Sequence, residues 1–266
     1  MHNSGYLRRH AGGIRGTRGV SPRRSGVVHA GGLGMRDELA SELMDDPGAD
    51  PEMLSKTYER FRLVNAVVSG ERAVYRRWVR PRLSPVWGTR LVDIGSGSAD
   101  LPRRLLRWAK ADRLLLEITA IDPDARAMEW AAAQPPMPGL TLRRALSSEL
   151  VETGERFDLV LSNHVLHHLD GHEFGALLRD SELLLGPGGI AVHGDIERTR
   201  LGYAGFWLGT LPFAGNLLAG SYIRPDGLTS IRRSHTAAEL AAVLPDGWAV
   251  RRAFPSRLEV VWGADV

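Results

Sequence analysis

Short apolar runs separated by stretches of helical length dominate the chain from residue 89 onward. The runs RLVDIG, LEITAID, LTLRRA, FDLVLSN and GIAVHGDI have the length and apolar character of strands. Between them, segments near 101–110, 124–133 and 172–185 read as helices. Strands that are apolar on both faces and alternate with helices build parallel β-α-β units, because only a sheet covered on both sides tolerates such runs. The expectation is a doubly wound, mostly parallel α/β sheet of Rossmann-like type. Two further runs, WAVRRAF and RLEVVWG, follow a helix that Thr236 and Glu239 open with capping-box spacing. Joined by a tight connection, they predict an antiparallel C-terminal edge and a sheet of seven strands.

Ahead of the sheet, residues 51–80 set Leu54, Tyr58, Phe61, Val64 and Val68 three or four apart, the spacing of an amphipathic helix that Pro81 and Pro85 then end. Residues 35–88 are read as an N-terminal helical lid or brace on a catalytic domain covering 89–266, with 197–234 as an insertion that recognises substrate. Residues 1–34 hold six arginines, nine glycines and no acid, so the formal charge of +3 resolves into +6 there and −3 elsewhere. Such a composition buries too little apolar surface to offset its ordering entropy, and a disordered tail is expected. A translation start at Met35 is the other reading. The basicity belongs to the tail, and no nucleic-acid partner is expected from it. It also lacks the apolar core of a secretory signal, which fits a cytoplasmic protein. The absence of cysteine from all 266 residues excludes disulfides, thiolate zinc sites, iron–sulfur clusters and a cysteine nucleophile.

The stretch LVDIGSGSAD, residues 91–100, lies where the first strand turns into its helix, the place where open α/β sheets bind ligands. Gly95 and Gly97 permit a sharp turn and a close approach to a ligand. A dinucleotide fingerprint requires a third glycine at the position held by Asp100, which instead sets a carboxylate on the helix N-terminus where a pyrophosphate would bind. A ligand with a nucleoside, a positive charge and no phosphate removes the conflict, and S-adenosylmethionine is one. Asp93 is placed to hold its ammonium group, and Asp122, ending the next strand, to accept the ribose hydroxyls.

DIGSGSAD, IDPDARAMEWA, FDLVLSNHVLHHLD and LLLGPGGIAV, in this order, resemble the class I S-adenosylmethionine-dependent methyltransferases, and among them the quinone-biosynthesis type that methylates small molecules. The resemblance covers about residues 89–196. It implies that Asp93, Gly95, Ser96 and Gly97 line the methionine side of the cofactor. It further implies that Asp122 and Pro123 hold the ribose, that Ala145 lies near the adenine, and that Asn163 faces the sulfonium. The chain departs from the family in having Ala99 as its third small residue and no acid after the third strand, where Arg144, Ala145 and Leu146 stand.

Methyl transfer from a sulfonium needs a positioned acceptor and, for a weak nucleophile, a base. His164 is the first candidate and His167 the second, while His168 and His193 read equally well as structural. No metal is expected. The run LGYAGFWLGTLPFAGNLLAG is uncharged, and its aromatic side chains Tyr203, Phe206, Trp207 and Phe213 either pack in the core or line a site for an apolar or aromatic acceptor met at a membrane surface. The expected activity is O- or C-methylation of a phenolic lipid, quinol or polyketide, in secondary metabolism. A non-catalytic S-adenosylmethionine-binding accessory protein is the alternative. The oligomeric state stays open.

Overall fold

The computed structural model describes residues 33–263; the tail read from residues 1–34 lies almost wholly outside the described residues. Seven strands form one sheet: β1 (Thr89–Ile94), β2 (Leu116–Ile121), β3 (Leu140–Arg143), β4 (Phe157–Asn163), β5 (Leu185–Ile196), β6 (Trp248–Ala253) and β7 (Arg257–Trp262), in the order β3-β2-β1-β4-β5-β7-β6. The first five pair in parallel, and β7 inserts antiparallel between β5 and β6. The order reverses between β1 and β4, which opens a crevice above their carboxyl ends.

Alternation along each strand builds two cores, one on each face of the sheet. Val92, Val160, Ala191 and Val260 point to one core, completed by Phe174, Leu177 and Leu178 of α6 (Gly171–Leu184) and Leu240 of α9 (Ala237–Val243). Their neighbours Leu91, Leu159, Leu161, Ile190, Val192 and Val261 point to the other. Leu101, Leu105, Leu106 and Ala109 of α3 (Asp100–Ala111) cover this second face. Two helices finish the β2–β4 connections: α4 (Ala125–Ala133), where the apolar pattern predicts one, and α5 (Ser147–Glu152), a six-residue turn too short for periodicity to reveal.

The N-terminal segment is not one helix. α1 (Pro51–Val68) stops before Gly70, whose φ of 59° breaks the run, and α2 (Glu71–Val74) continues through a π-turn to Val79 and a 3-10 turn over Arg80–Arg82. The two halves have different jobs. Leu54, Tyr58 and Phe61 of α1 pack with Ala127, Trp130 and Tyr222 over the β2–α4 corner, while the side chain of Val68 lies outside the described residues. Val74, Tyr75, Trp78 and Val79 belong to the sheet's second core. Trp78 anchors it by donating from Nε1 to Glu259 Oε2 at 2.9 Å on β7.

The insertion after β5 folds into α7 (Arg200–Thr210), a 3-10 turn at Leu211–Phe213 and α8 (Ile223–Arg233). Asp226 of α8 accepts from the backbone N–H groups of Leu43 and Met44 at 2.8 and 3.0 Å, which fixes the residues ahead of α1 across the same corner. No described helix is long and apolar enough to cross a membrane.

Candidate active site

Three residues after β1 adopt left-handed backbone in alternation: Gly95 (φ 69°), Gly97 (φ 52°) and Ala99 (φ 59°). The turn is tied to β2 by Gly95 and Ser96, whose N–H groups donate to Ile121 O at 2.9 and 3.0 Å. A Cβ on Gly95 would lie 2.6 Å from Val165 Cγ2, whereas one on Gly97 would meet nothing within 4 Å, so the turn faces open space at its second glycine. Ala99 tolerates a conformation that costs an L-residue about 1–2 kcal/mol because its methyl is buried against Ala120, Met128 and Ala131. Asp122 joins the two loops: Oδ2 accepts from Gly97 N at 2.8 Å and Oδ1 from Asp124 N at 2.8 Å, leaving each oxygen a further lone pair.

Carboxyl groups collect around this turn. Asp93 is 2% exposed, and neither its Oδ1 nor the buried Ser96 Oγ has a hydrogen-bond partner. Burial, then the nearby Glu71 and Asp122 carboxylates, push the Asp93 carboxyl well above its ordinary range. Glu71 enters from the first turn of α2 and pairs with the buried Arg104 at 2.8 Å. Burial raises it to about 7 against the pull of that guanidinium. Asp100 accepts from Ser98 Oγ at 3.1 Å on the first turn of α3. Glu71 was not legible in the sequence as a site residue, since it lies twenty-two positions before Asp93 in a segment that reads as an arginine-rich helix. Pro123 closes the Asp122 loop, its carbonyl accepting from Arg144 Nε at 3.2 Å. The Ala145 side chain is turned into the core.

The histidines past β4 divide by environment. His164 has φ 61°, and its Nε2 sits 3.2 Å from Ser69 Oγ and 3.3 Å from Arg257 Nη1. A guanidinium only donates, so Nε2 carries the lone pair and the imidazole is neutral. Burial, then the Arg257 cation, lower its pKa to about 3. Asn163 beside it accepts from Arg257 Nη2 through Oδ1.

His167 is the opposite case. Its Nδ1 lies 2.8 Å from Asp195 Oδ1, its backbone N–H donates to Asp195 Oδ2 at 2.8 Å, and its Nε2 lies 3.3 Å from Glu42 Oε1. Burial alone would push the imidazole down, but the Asp195 and Glu42 carboxylates outweigh it and hold the ring up at about 10. A ring already protonated at neutral pH cannot take a proton, which removes the physical basis for His167 as a base. Glu42, which also accepts from Ser230 Oγ at 2.7 Å, thereby pins the N-terminal segment to the end of β4. His193 does not end β5 but lies inside it, fully buried between Ser162 Oγ (2.8 Å) and Ser181 Oγ (3.1 Å) and stacked on Trp248. Glu42, His167 and His168 come close enough to share a metal ion, but the Glu42 carboxylate and both His167 nitrogens are already engaged in the contacts above.

Residues 92–193 match the family described as Methyltransferase domain. The ubiquinone biosynthesis O-methyltransferase of Azorhizobium caulinodans is 29% identical over 124 residues, 46% of each chain. That of Ruegeria pomeroyi is 30% identical over 156 residues, 56% of this chain and 60% of its own. The matches thus span about half the length of these curated relatives. Among solved structures, the plantazolicin methyltransferase BpumL in complex with SAH superposes with a TM-score of 0.57 at 12% identity, over 84% of this chain and 94% of its own. Human N-acetylserotonin methyltransferase in complex with SAM gives a TM-score of 0.51 at 13% identity, over 77% and 53%. At these identities the superpositions establish the fold alone.

The Glu42–His167–Asp195 cluster has a pH signature. The folded pKa of His167 is raised, so its stabilisation is complete below the unfolded value of 6.5 and is lost as pH rises through about 10. Urea unfolding is expected to show stability falling between pH 7 and pH 10, and Glu42→Gln to cost about 2–4 kcal/mol at pH 7 while shrinking that alkaline loss. Parallel pH curves for the two proteins would refute the assignment. Gly95→Ala, which forces a methyl toward Val165 at positive φ, is expected to lower the unfolding free energy by at least about 2 kcal/mol; an unchanged melting temperature would count against the turn geometry.

Proposed function

We propose that this chain, whose residues 92–193 carry a methyltransferase domain on the class I fold, is an S-adenosylmethionine-dependent methyltransferase of the cytoplasm that acts on a small apolar or aromatic acceptor at oxygen or aromatic carbon. The observation that carries the reading is the carboxylate-lined turn. Asp93 and Asp122 flank Gly95 and Gly97, Asp100 occupies the helix N-terminus, and the buried Asp93 Oδ1 and Ser96 Oγ await partners. An acid-lined crevice suits a ligand that brings an ammonium, a sulfonium and ribose hydroxyls, and it repels a diphosphate.

When bound, the cofactor supplies a methyl group already activated by the positive sulfur. The protein's part is binding, orientation and handling of the acceptor proton. Asp93, with Glu71 behind it, takes the ammonium, and Ser96 and the Gly97 turn hold the chain beside it. Asp122 takes the ribose hydroxyls with its free lone pairs, Pro123 borders them, and the backbone at Ala145 lies toward the adenine. Asn163 and His164, at the end of β4, face the transferred group. His164 is neutral and lies beside Asn163 whereas His167 is held protonated, so proton acceptance falls to His164, and His167 acts as a positioning group through Asp195. The match to ubiquinone biosynthesis O-methyltransferases supports a phenolic or quinol acceptor.

Between Arg200 and Arg224 the chain bears no charge, and Leu201, Trp207, Leu208, Leu211, Phe213 and Leu217 are exposed there. This stripe, bordered by cations, suits peripheral contact with an anionic lipid surface where an apolar acceptor is met. A second reading, an S-adenosylmethionine-binding accessory protein without catalysis, is favoured by one observation: the His164 lone pair is already engaged by Arg257.

A labelled-methyl assay against phenols, quinols and polyketides separates the two readings: cofactor binding without product from any acceptor supports the accessory role. His164→Ala is expected to lower turnover at least about tenfold with cofactor affinity within about threefold of wild type. Unchanged turnover would remove His164 from the reaction. Replacing Trp207 and Phe213 together by Ser is expected to abolish co-sedimentation with phosphatidylglycerol vesicles, and wild-type protein that stays in the supernatant would sink the surface contact.

A further inference from the structure

Arg257 opens β7 with 2% exposure, and the structure gives it only neutral partners. Nη2 donates to Asn163 Oδ1, and Nη1 faces His164 Nε2 at 3.3 Å. The carboxylates that act on it electrostatically, Asp195, Glu259 and Glu71, are each committed elsewhere. Asp195 holds His167 at 2.8 Å, Glu259 accepts from Trp78 Nε1 at 2.9 Å, and Glu71 pairs with Arg104 at 2.8 Å. Among the described residues, no carboxylate reaches ion-pair distance of this guanidinium.

A buried cation without a counterion costs several kcal/mol, and arginine does not relieve the cost by losing its proton. The backbone is shaped to admit it nonetheless. A Cβ on Gly194 would lie 2.8 Å from Nη2, and one on Gly70, at the break between α1 and α2, 3.1 Å from Cδ. Both glycines leave room for this one side chain. A small cavity lies nearby, lined by Val74, Leu101 and Leu161 of the second core with Glu71, Asn163 and Gly194; Arg257 does not line it but touches Asn163 and Gly194. The guanidinium stands at the end of β4, against Asn163 and the partly exposed His164.

We propose that Arg257 is an acceptor-recognition residue, and that the acceptor carries an anionic oxygen, that of an aromatic acid or an ionised phenol, which pairs with this guanidinium. The proposal rests on the methyltransferase reading and narrows it. A fork of N–H donors matches a carboxylate or phenolate in the way a neutral quinol cannot exploit.

The test is calorimetry on the full chain, first with S-adenosylhomocysteine alone and then, with it bound, with benzoate and 3,4-dihydroxybenzoate against their methyl esters. The acids are expected to bind at least about tenfold tighter than the esters. Arg257→Met is expected to erase that gap while S-adenosylhomocysteine affinity stays within about twofold, and Arg257→Lys, which keeps the charge and the stem, to retain part of it. Equal affinity for acid and ester, no binding of either acid, or an acid preference that survives Arg257→Met overturns the proposal. Failure of S-adenosylhomocysteine itself to bind wild-type protein strikes the methyltransferase reading instead.

Discussion

Asp93, one residue before the end of β1, is almost fully buried with one carboxyl oxygen lacking a hydrogen-bond partner, and burial, joined by Glu71 on α2 and Asp122 just past β2, raises its pKa. Acidic groups gathered in a low-dielectric crevice repel one another when ionised and raise each other's pKa. The surrounding geometry follows from keeping that crevice open. Gly95 is held against β2 and Val165, Gly97 leaves space, and Ala99 returns the chain to α3 through a buried methyl.

The second organising contact is a cation between two carboxylates. His167 joins Asp195 on β5 to Glu42 in the segment ahead of α1, so the parts of the chain that flank the crevice are fastened through one imidazolium. The same neighbourhood explains why His164, three residues earlier, stays neutral. Its Nε2 faces Arg257, and Asp195 lies 3.9 Å from its Nδ1 with its charge already shared with His167. Two histidines in one motif thus acquire opposite protonation states from their neighbours alone.

The parts of this arrangement written in local pattern were legible in the sequence. The five parallel strands, the antiparallel edge and the acid-flanked glycine turn follow from apolar runs and from residue types at fixed offsets. The break at Gly70 was masked because Leu54, Tyr58 and Phe61 continue in phase toward Val79, and periodicity does not register a single left-handed residue. Glu71, Glu42 and Arg257 were invisible for a different reason. Each reaches the site from a distant element, 22 residues before Asp93, 125 before His167 and 93 after His164 respectively, and no spacing rule spans such separations. The structural reading left open for His193 is the one its burial inside β5 matches.

The central claim is that the carboxylates above β1 and β2 select a cationic nucleoside over a nucleoside diphosphate. Equilibrium dialysis of the full chain with S-adenosylmethionine and with NAD, on wild type and on Asp93→Asn, measures this selection directly. The account predicts micromolar binding of S-adenosylmethionine, none of NAD, and at least about a tenfold loss of S-adenosylmethionine affinity in the variant. Binding of NAD as tight as that of S-adenosylmethionine, or affinity indifferent to Asp93, would contradict it.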